Sequence, residues 1–214
     1  AIMGSILKIG TPSAIGSVSF SLARTVVMPL VALFGTGVLA AYGVVTRVSA
    51  FGIMLLVGIG LGLSALIGHN LGAGKRERAE RTAHQAILLS VGIMIGMGLL
   101  CFVGAEFIMR RFFDEPEIVA HGVSFLRILA VGFPFLGIHL AVENVYSGVG
   151  ENRPAMTVNI LHSWVLEVPV IYLFVKVFEW GPDSIWWAFT GASIVSAAGY
   201  YLYFRRGRWL DVKV

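Results

Sequence analysis

Charge is what this chain has least of. Of its 214 residues only 13% are Asp, Glu, Lys or Arg, about half the share that a soluble domain uses to cover its surface. That shortage excludes an ordinary water-soluble globule, because most of the surface must face hydrocarbon. A single cysteine, Cys101, excludes a disulfide framework and leaves no Cys/His spacing for a metal. No GxxxxGK[ST] loop is present to hold phosphates, and no HExxH or GxSxG marks a hydrolase. The stretch His139-Leu140-Ala141-Val142-Glu143 has no second histidine at ligand spacing. These absences predict a protein that is not an enzyme, with no catalytic residue, no resident metal and no cofactor. The start of the chain also lacks the basic stretch and cleavage site of a signal peptide. Because it opens on Ala1, a preceding segment is expected in the full gene product.

What is abundant is apolar surface and glycine. Hydrophobic residues make up 57% of the chain and glycines number 26, with a mean hydropathy of +0.84. Glycine is costly in soluble helices but common where transmembrane helices pack closely. The apolar runs are too long for barrel strands and lack their alternation. The prediction is therefore an all-α polytopic membrane protein whose main partner is the lipid bilayer.

A span needs about 20 residues at a rise of about 1.5 Å each, and six runs qualify. They cover residues 13–34, 40–67, 83–109, 122–145, 155–178 and 184–204, followed by a tail at 205–214. The pair Thr11-Pro12 is expected to open the first span as N-cap and N1. Asp114-Glu115-Pro116-Glu117 is expected to begin a short interfacial helix ahead of the fourth. Pro29, Pro134 and Pro169 lie inside spans and are expected to kink them. Three kinked spans favour a moving transporter over a rigid scaffold.

The net charge of +4 and pI near 9.5 are not a nucleic-acid signal, because the basic residues cluster between apolar runs. One side of the bundle collects Lys8, Lys75, Arg76, Arg78, Arg81, Arg153, Arg205, Arg206, Arg208 and Lys213, and the other only Arg110, Arg111 and Lys176. The positive-inside rule then places the first side, with the tail, in the cytoplasm of a cell inner membrane.

The most specific string is ALIGHNLGAGKRERAER at residues 65–81. It reads as a helix ending in glycines suited to a left-handed cap, followed by a basic amphipathic turn on an anionic membrane surface. It resembles the hallmark that follows the second span of each half in the multidrug and toxic compound extrusion (MATE) family. Gly68, Asn70, Gly72, Ala73 and Gly74 keep that pattern, and His69 stands where glutamine is usual. FGTGVLAAYGVVTRV, FFDEPEIVAHGVSFLRIL and SGVGENRPAM are similar to further family segments, although Ser147-Gly148 replaces the usual Arg-Gly. The resemblance implies the C-terminal half of a twelve-span fold, with the N-terminal six-helix half absent from this sequence. It implies a secondary antiporter that exports small organic, often cationic, compounds in exchange for Na⁺ or H⁺. Many relatives carry a coupling glutamate in the first helix of this half and an aspartate midway along the fourth. This chain has neither, so the coupling ion is not legible.

Ionisable groups inside a bilayer cost about 2.5–3.5 kcal/mol each on insertion scales, so they usually face the bundle interior. Arg24, Arg47, Glu106, Arg127, Glu143 and Glu167 stand out within spans. Glu106 and Arg127 are expected to snorkel or pair at the outer ends, and Arg47 to be structural. Arg24 is mid-span and is expected to pair with Glu167 or with the absent half. His139 and Glu143 are four apart on one face of the fourth span. Asn159, His162, Ser163 and Glu167 are expected to share a face of the fifth. Carboxyl and imidazole groups together can bind cations or exchange protons. The structural reading is an interhelical network worth roughly 0.6 kcal/mol per bond.

Two other functions fit a six-span bundle. A lipid-linked oligosaccharide flippase of the same superfamily would line its cavity with basic residues, for which Arg24, Arg47 and Arg127 are candidates. A non-transporting membrane assembly subunit would need no buried site.

Overall fold

The computed structural model describes residues 2–212, with side chains from Gly10 onward. Lys213 therefore lies outside the described residues, as does the side chain of Lys8. Among the described residues there is no strand. The helices are α1 (Ile2–Ala32), α2 (Thr36–Gly72), α3 (Arg76–Met109) and α4 (Pro116–Gly148), then α5 (Arg153–Val177) and α6 (Asp183–Phe204). A 3₁₀ turn, Arg208–Asp211, closes the chain.

Five of these helices, α1 to α5, are long and apolar enough to cross a membrane by length and composition. The sixth, α6, has 22 residues, but its Trp, Tyr, Ser, Thr and Gly content dilutes its hydropathy. Its apolar face is spent inside the bundle, where Ile185, Trp186, Phe189, Tyr200 and Phe204 are buried. Conversely, Val103 is 80% exposed and Met54 74%. Large apolar side chains left open on the outside of α2 and α3 are stable only against lipid.

Two expected details differ. Thr11-Pro12 does not open a helix, because Pro12 lies inside α1; a single missing N–H is tolerated where neighbouring turns stay bonded. No separate interfacial helix precedes the fourth span. Pro116 takes the first turn of α4, where its missing N–H costs nothing, and the helix runs unbroken to Gly148 past Pro134.

Helix α4 is the axle, packed on α2, α3 and α6, while α1 lies mainly on α5. The α2–α4 crossing is close because Gly148 lacks a side chain. A Cβ there would sit 2.6 Å from the Ser64 carbonyl oxygen. At the end of α2, Gly74 takes φ +70°. Its N–H donates to the Leu71 carbonyl and that of Lys75 to Asn70, closing the helix in the cap that left-handed glycine permits. The basic start of α3 follows at once. Two apolar clusters fill the bundle. One contains the stacked rings of Tyr42, Phe125, Trp186 and Phe189. The other holds Ile67, Tyr146, Tyr200, Phe204 and Trp209 near the 3₁₀ turn. The tail is docked there: Trp209 is buried against Phe204, and Arg76 donates to Asp211 at 3.0 Å.

Candidate functional site

Between the two apolar clusters runs a seam of polar side chains, and the backbone of α5 sets its geometry. From His162 to Glu167 the helix is π-helical, with the Val168 N–H bonding back five residues to Ser163. A second π segment covers Leu173–Val177. Pro169 lies between them, and its ring removes a donor and crowds the carbonyl four residues before it. The widened turn before Pro169 relieves that clash.

This backbone corrects the expected regular face of the fifth span. In an α-helix residues five apart point about 140° away from each other. In the π turn they meet, and His162 Nε2–H donates to Glu167 Oε2 at 3.1 Å. Glu167 is 1% exposed. Its other oxygen, Oε1, lies 3.6 Å from Nε of Arg24 on α1, close enough for an ion pair but too long for a hydrogen bond. The Arg24 Nη1 donates to the Tyr42 hydroxyl at 3.4 Å. Its guanidinium carbon lies 4.5 Å from the centre of the Phe189 ring and 5.1 Å from that of Phe20. A carboxylate and a guanidinium taken into hydrocarbon are each costly, and pairing offsets part of that cost.

A second cluster lies alongside. His139 Nε2–H donates to Asn159 Oδ1 at 2.9 Å, and Asn159 Nδ2 donates to Glu143 Oε1 at 3.2 Å. Ser196 on α6 donates to His139 Nδ1 at 3.5 Å, and Tyr200 meets the His139 ring edge-on at 5.4 Å. The directions agree: hydroxyl to imidazole, imidazole to amide, amide to carboxylate. The rings of His139 and His162 are 6.1 Å apart, so the two clusters adjoin.

The structure thus brings Arg24, His139, Glu143, Asn159, His162 and Glu167 into one seam. Ser163 is buried beside them, and its Oγ has no hydrogen-bond partner among the described residues. The residues sequence reasoning missed are Tyr42, Ser196 and Tyr200, plus the rings of Phe20 and Phe189. Ser196 and Tyr200 are four apart on α6, a spacing that could have flagged them. The motif residues Gly68, Asn70, Gly72, Ala73 and Gly74 stand apart from the seam, at the end of α2. Glu106 pairs with Arg110 at 2.8 Å on the exposed end of α3. Arg127 donates to the Phe102 carbonyl at 3.3 Å, and Arg47 is exposed. Among the described residues no three His, Cys, Asp or Glu side chains are grouped to hold a metal ion.

Comparison with known proteins adds the family. The MatE family model matches residues 12–173. The chain is 25% identical over 210 residues to "Probable multidrug resistance protein YpnP" of Bacillus subtilis (strain 168), covering 98% of this chain and 46% of that protein. It is 24% identical to "Multidrug export protein MepA" of Staphylococcus haemolyticus (strain JCSC1435), covering 97% of this chain and 46% of the relative. It also superposes on a crystal structure of MATE in the straight conformation with TM-score 0.91 at 22% identity, covering 99% of this chain and 47% of that one. At that identity the superposition carries the fold. The chain spans less than half the length of the curated relatives it matches.

Proposed function

The chain belongs to the MatE family, and from that premise we propose that it is one six-helix half of an antiporter exporting small organic, often cationic, compounds. The observation that carries this reading is Glu167, a carboxylate 1% exposed inside a membrane bundle. It is joined to His162 and Arg24, and through the adjoining His139 ring to a second acid, Glu143. A buried acid of this kind is expensive, and those kept inside membrane bundles mark ion or substrate paths. A carboxylate beside an imidazole can take up and release a proton or a cation as a substrate comes and goes. The names of the relatives YpnP and MepA, both multidrug proteins, support the substrate class.

The topology follows from charge. The ends of α2, α4 and α6 face the cytoplasm of a cell inner membrane, with the docked tail, because the basic residues collect there. Impermeant thiol reagent added outside intact cells should fail to label a cysteine at position 78 unless the cells are opened. The partner is a second six-helix half, which places the open edge of the seam against a shared cavity. Co-expression tests the transport claim. The chain by itself gives no drug resistance, and a matching six-helix half restores it. Robust export by the chain alone in liposomes would contradict the half-transporter reading and indicate a homodimer.

A further inference from the structure

The surroundings of Arg24 are those of a bound organic cation. Its guanidinium lies between two phenyl rings at 4.5 and 5.1 Å, inside the ~6 Å reach of a cation–π contact. Tyr42 makes a third wall, accepting a hydrogen bond from Nη1 while its ring stacks with Phe189 at 6.2 Å. Glu167 supplies the negative charge. Aromatic faces around a carboxylate are the chemistry that recognises planar, delocalised cations.

The fit of Arg24 is loose. An arginine built to lock a carboxylate does so with two parallel bonds near 2.8 Å, whereas here one nitrogen sits at 3.6 Å. Glu167 Oε1 is left without a hydrogen bond although it is fully buried. The Arg24 side chain is 35% exposed while that of Glu167 is 1% exposed, so the cage has an open side through which its occupant can leave. Phe20, Tyr42 and Phe189 are also on different helices from Glu167, so the cage joins α1, α2, α5 and α6. An occupant of different size would reset how those four helices sit.

We propose that the cage of Phe20, Tyr42, Phe189 and Glu167 is a binding site for planar organic cations, occupied at rest by the chain's own Arg24, which an entering cation displaces. The choice of ligand rests on the export of organic cations proposed above. Arg24 acts as a tethered competitor, and a tether lowers the apparent affinity of any free ligand by the fraction of time the site is filled. It also keeps the buried carboxylate paired whenever no ligand is present.

The test is ethidium binding to the chain in lipid nanodiscs, followed by fluorescence anisotropy. Arg24→Met removes the competitor at similar volume and should bind ethidium at least about tenfold more tightly than the parent. Arg24→Lys keeps a tethered cation and should stay near the parent. Adding Glu167→Gln to Arg24→Met should cancel the gain. Binding by Arg24→Met no tighter than the parent, or a gain that survives Glu167→Gln, overturns the proposal. Should Arg24→Met not yield folded protein, the parent decides by arginine ¹⁵Nε NMR. The ring-shifted Arg24 signal should move to the position of exposed arginines as ethidium is added. A signal that stays in place up to the solubility limit overturns the proposal equally. Equilibrium binding needs neither gradient nor partner half, so failure here leaves the antiport reading standing. Loss of that reading would show instead as binding without export even when the matching six-helix half is co-expressed.

Discussion

The two polar clusters share α5 and differ in how they are held. The cluster of His139, Asn159, Glu143 and Ser196 is joined in one chain of hydrogen bonds, with the Tyr200 hydroxyl beside it the one buried polar atom there that has no partner among the described residues. Its side chains stand on regular helix where four-residue spacing aims them together. The cluster of Arg24, Glu167 and His162 depends on a π turn and a looser ion pair, and it leaves Glu167 Oε1 and His162 Nδ1 without hydrogen bonds. Satisfied networks rigidify a core, whereas unmet polar valence in a buried site is a cost that a protein keeps for a reason. We propose from this contrast that the first cluster contributes more to assembly and the second more to ligand or proton handling.

The contrast breaks or sharpens under substitution, and the largest effect should come from the charge of Glu167. Glu167→Leu leaves Arg24 without its counter-charge and should cost about 3 kcal/mol of stability, at the low end for a broken buried pair because Arg24 is open on one side. Glu143→Leu, flanked by neutral groups, should cost clearly less in the same detergent unfolding titration. Equal losses would erase the distinction.

Next comes the backbone. Pro169→Ala frees α5 to return to α-helical spacing, which turns Glu167 away from His162. The helix should resist unfolding better, yet export by the assembled transporter should fall about tenfold, or 1.4 kcal/mol of barrier. Unchanged export would show that the π turn does not matter to the site.

The smallest effect belongs to the amide bridge. Asn159→Leu removes two interhelical hydrogen bonds, worth about 0.6 kcal/mol each in membrane helices. It should lower the unfolding midpoint slightly while leaving export within about threefold of the parent. A loss of export as deep as that of a Glu167 variant would move the functional site to the wrong cluster.

Much of this was legible in the sequence, for physical reasons. Long apolar runs and scarce charge impose spanning helices, because a bilayer leaves only helices and closed barrels to satisfy the backbone, and these runs are too long and unalternating for barrel strands. The buried acids and histidines stood out for the same reason, and His139 and Glu143 could be placed on one face by spacing alone. His162 and Glu167 were also expected on one face, but the π turn by which they meet at i+5 was not legible, since Pro169 signals only a kink and not how neighbouring turns absorb it. The aromatic walls around Arg24 were equally hidden. Phe20 lies one turn before Arg24, but Tyr42 and Phe189 arrive from other helices, and nothing local distinguishes them from other core rings. The sixth helix shows the reverse: the run at 184–204 was read as a span and is a helix packed on α4, but it is not among the five long and apolar enough to cross a membrane by length and composition.

The central claim is that Glu167, supported by His162, carries the ion or proton exchange that drives export. Its most direct test is the pH profile of drug efflux in cells carrying the chain with its partner half. The parent is compared with Glu167→Gln and with the Glu167→Gln/His162→Gln double variant, at matched expression and folding. Glu167→Gln should abolish efflux or displace its pH dependence, and the double variant should lose the pH dependence altogether. Efflux with an unaltered pH profile in both variants would contradict it and leave the seam a structural network.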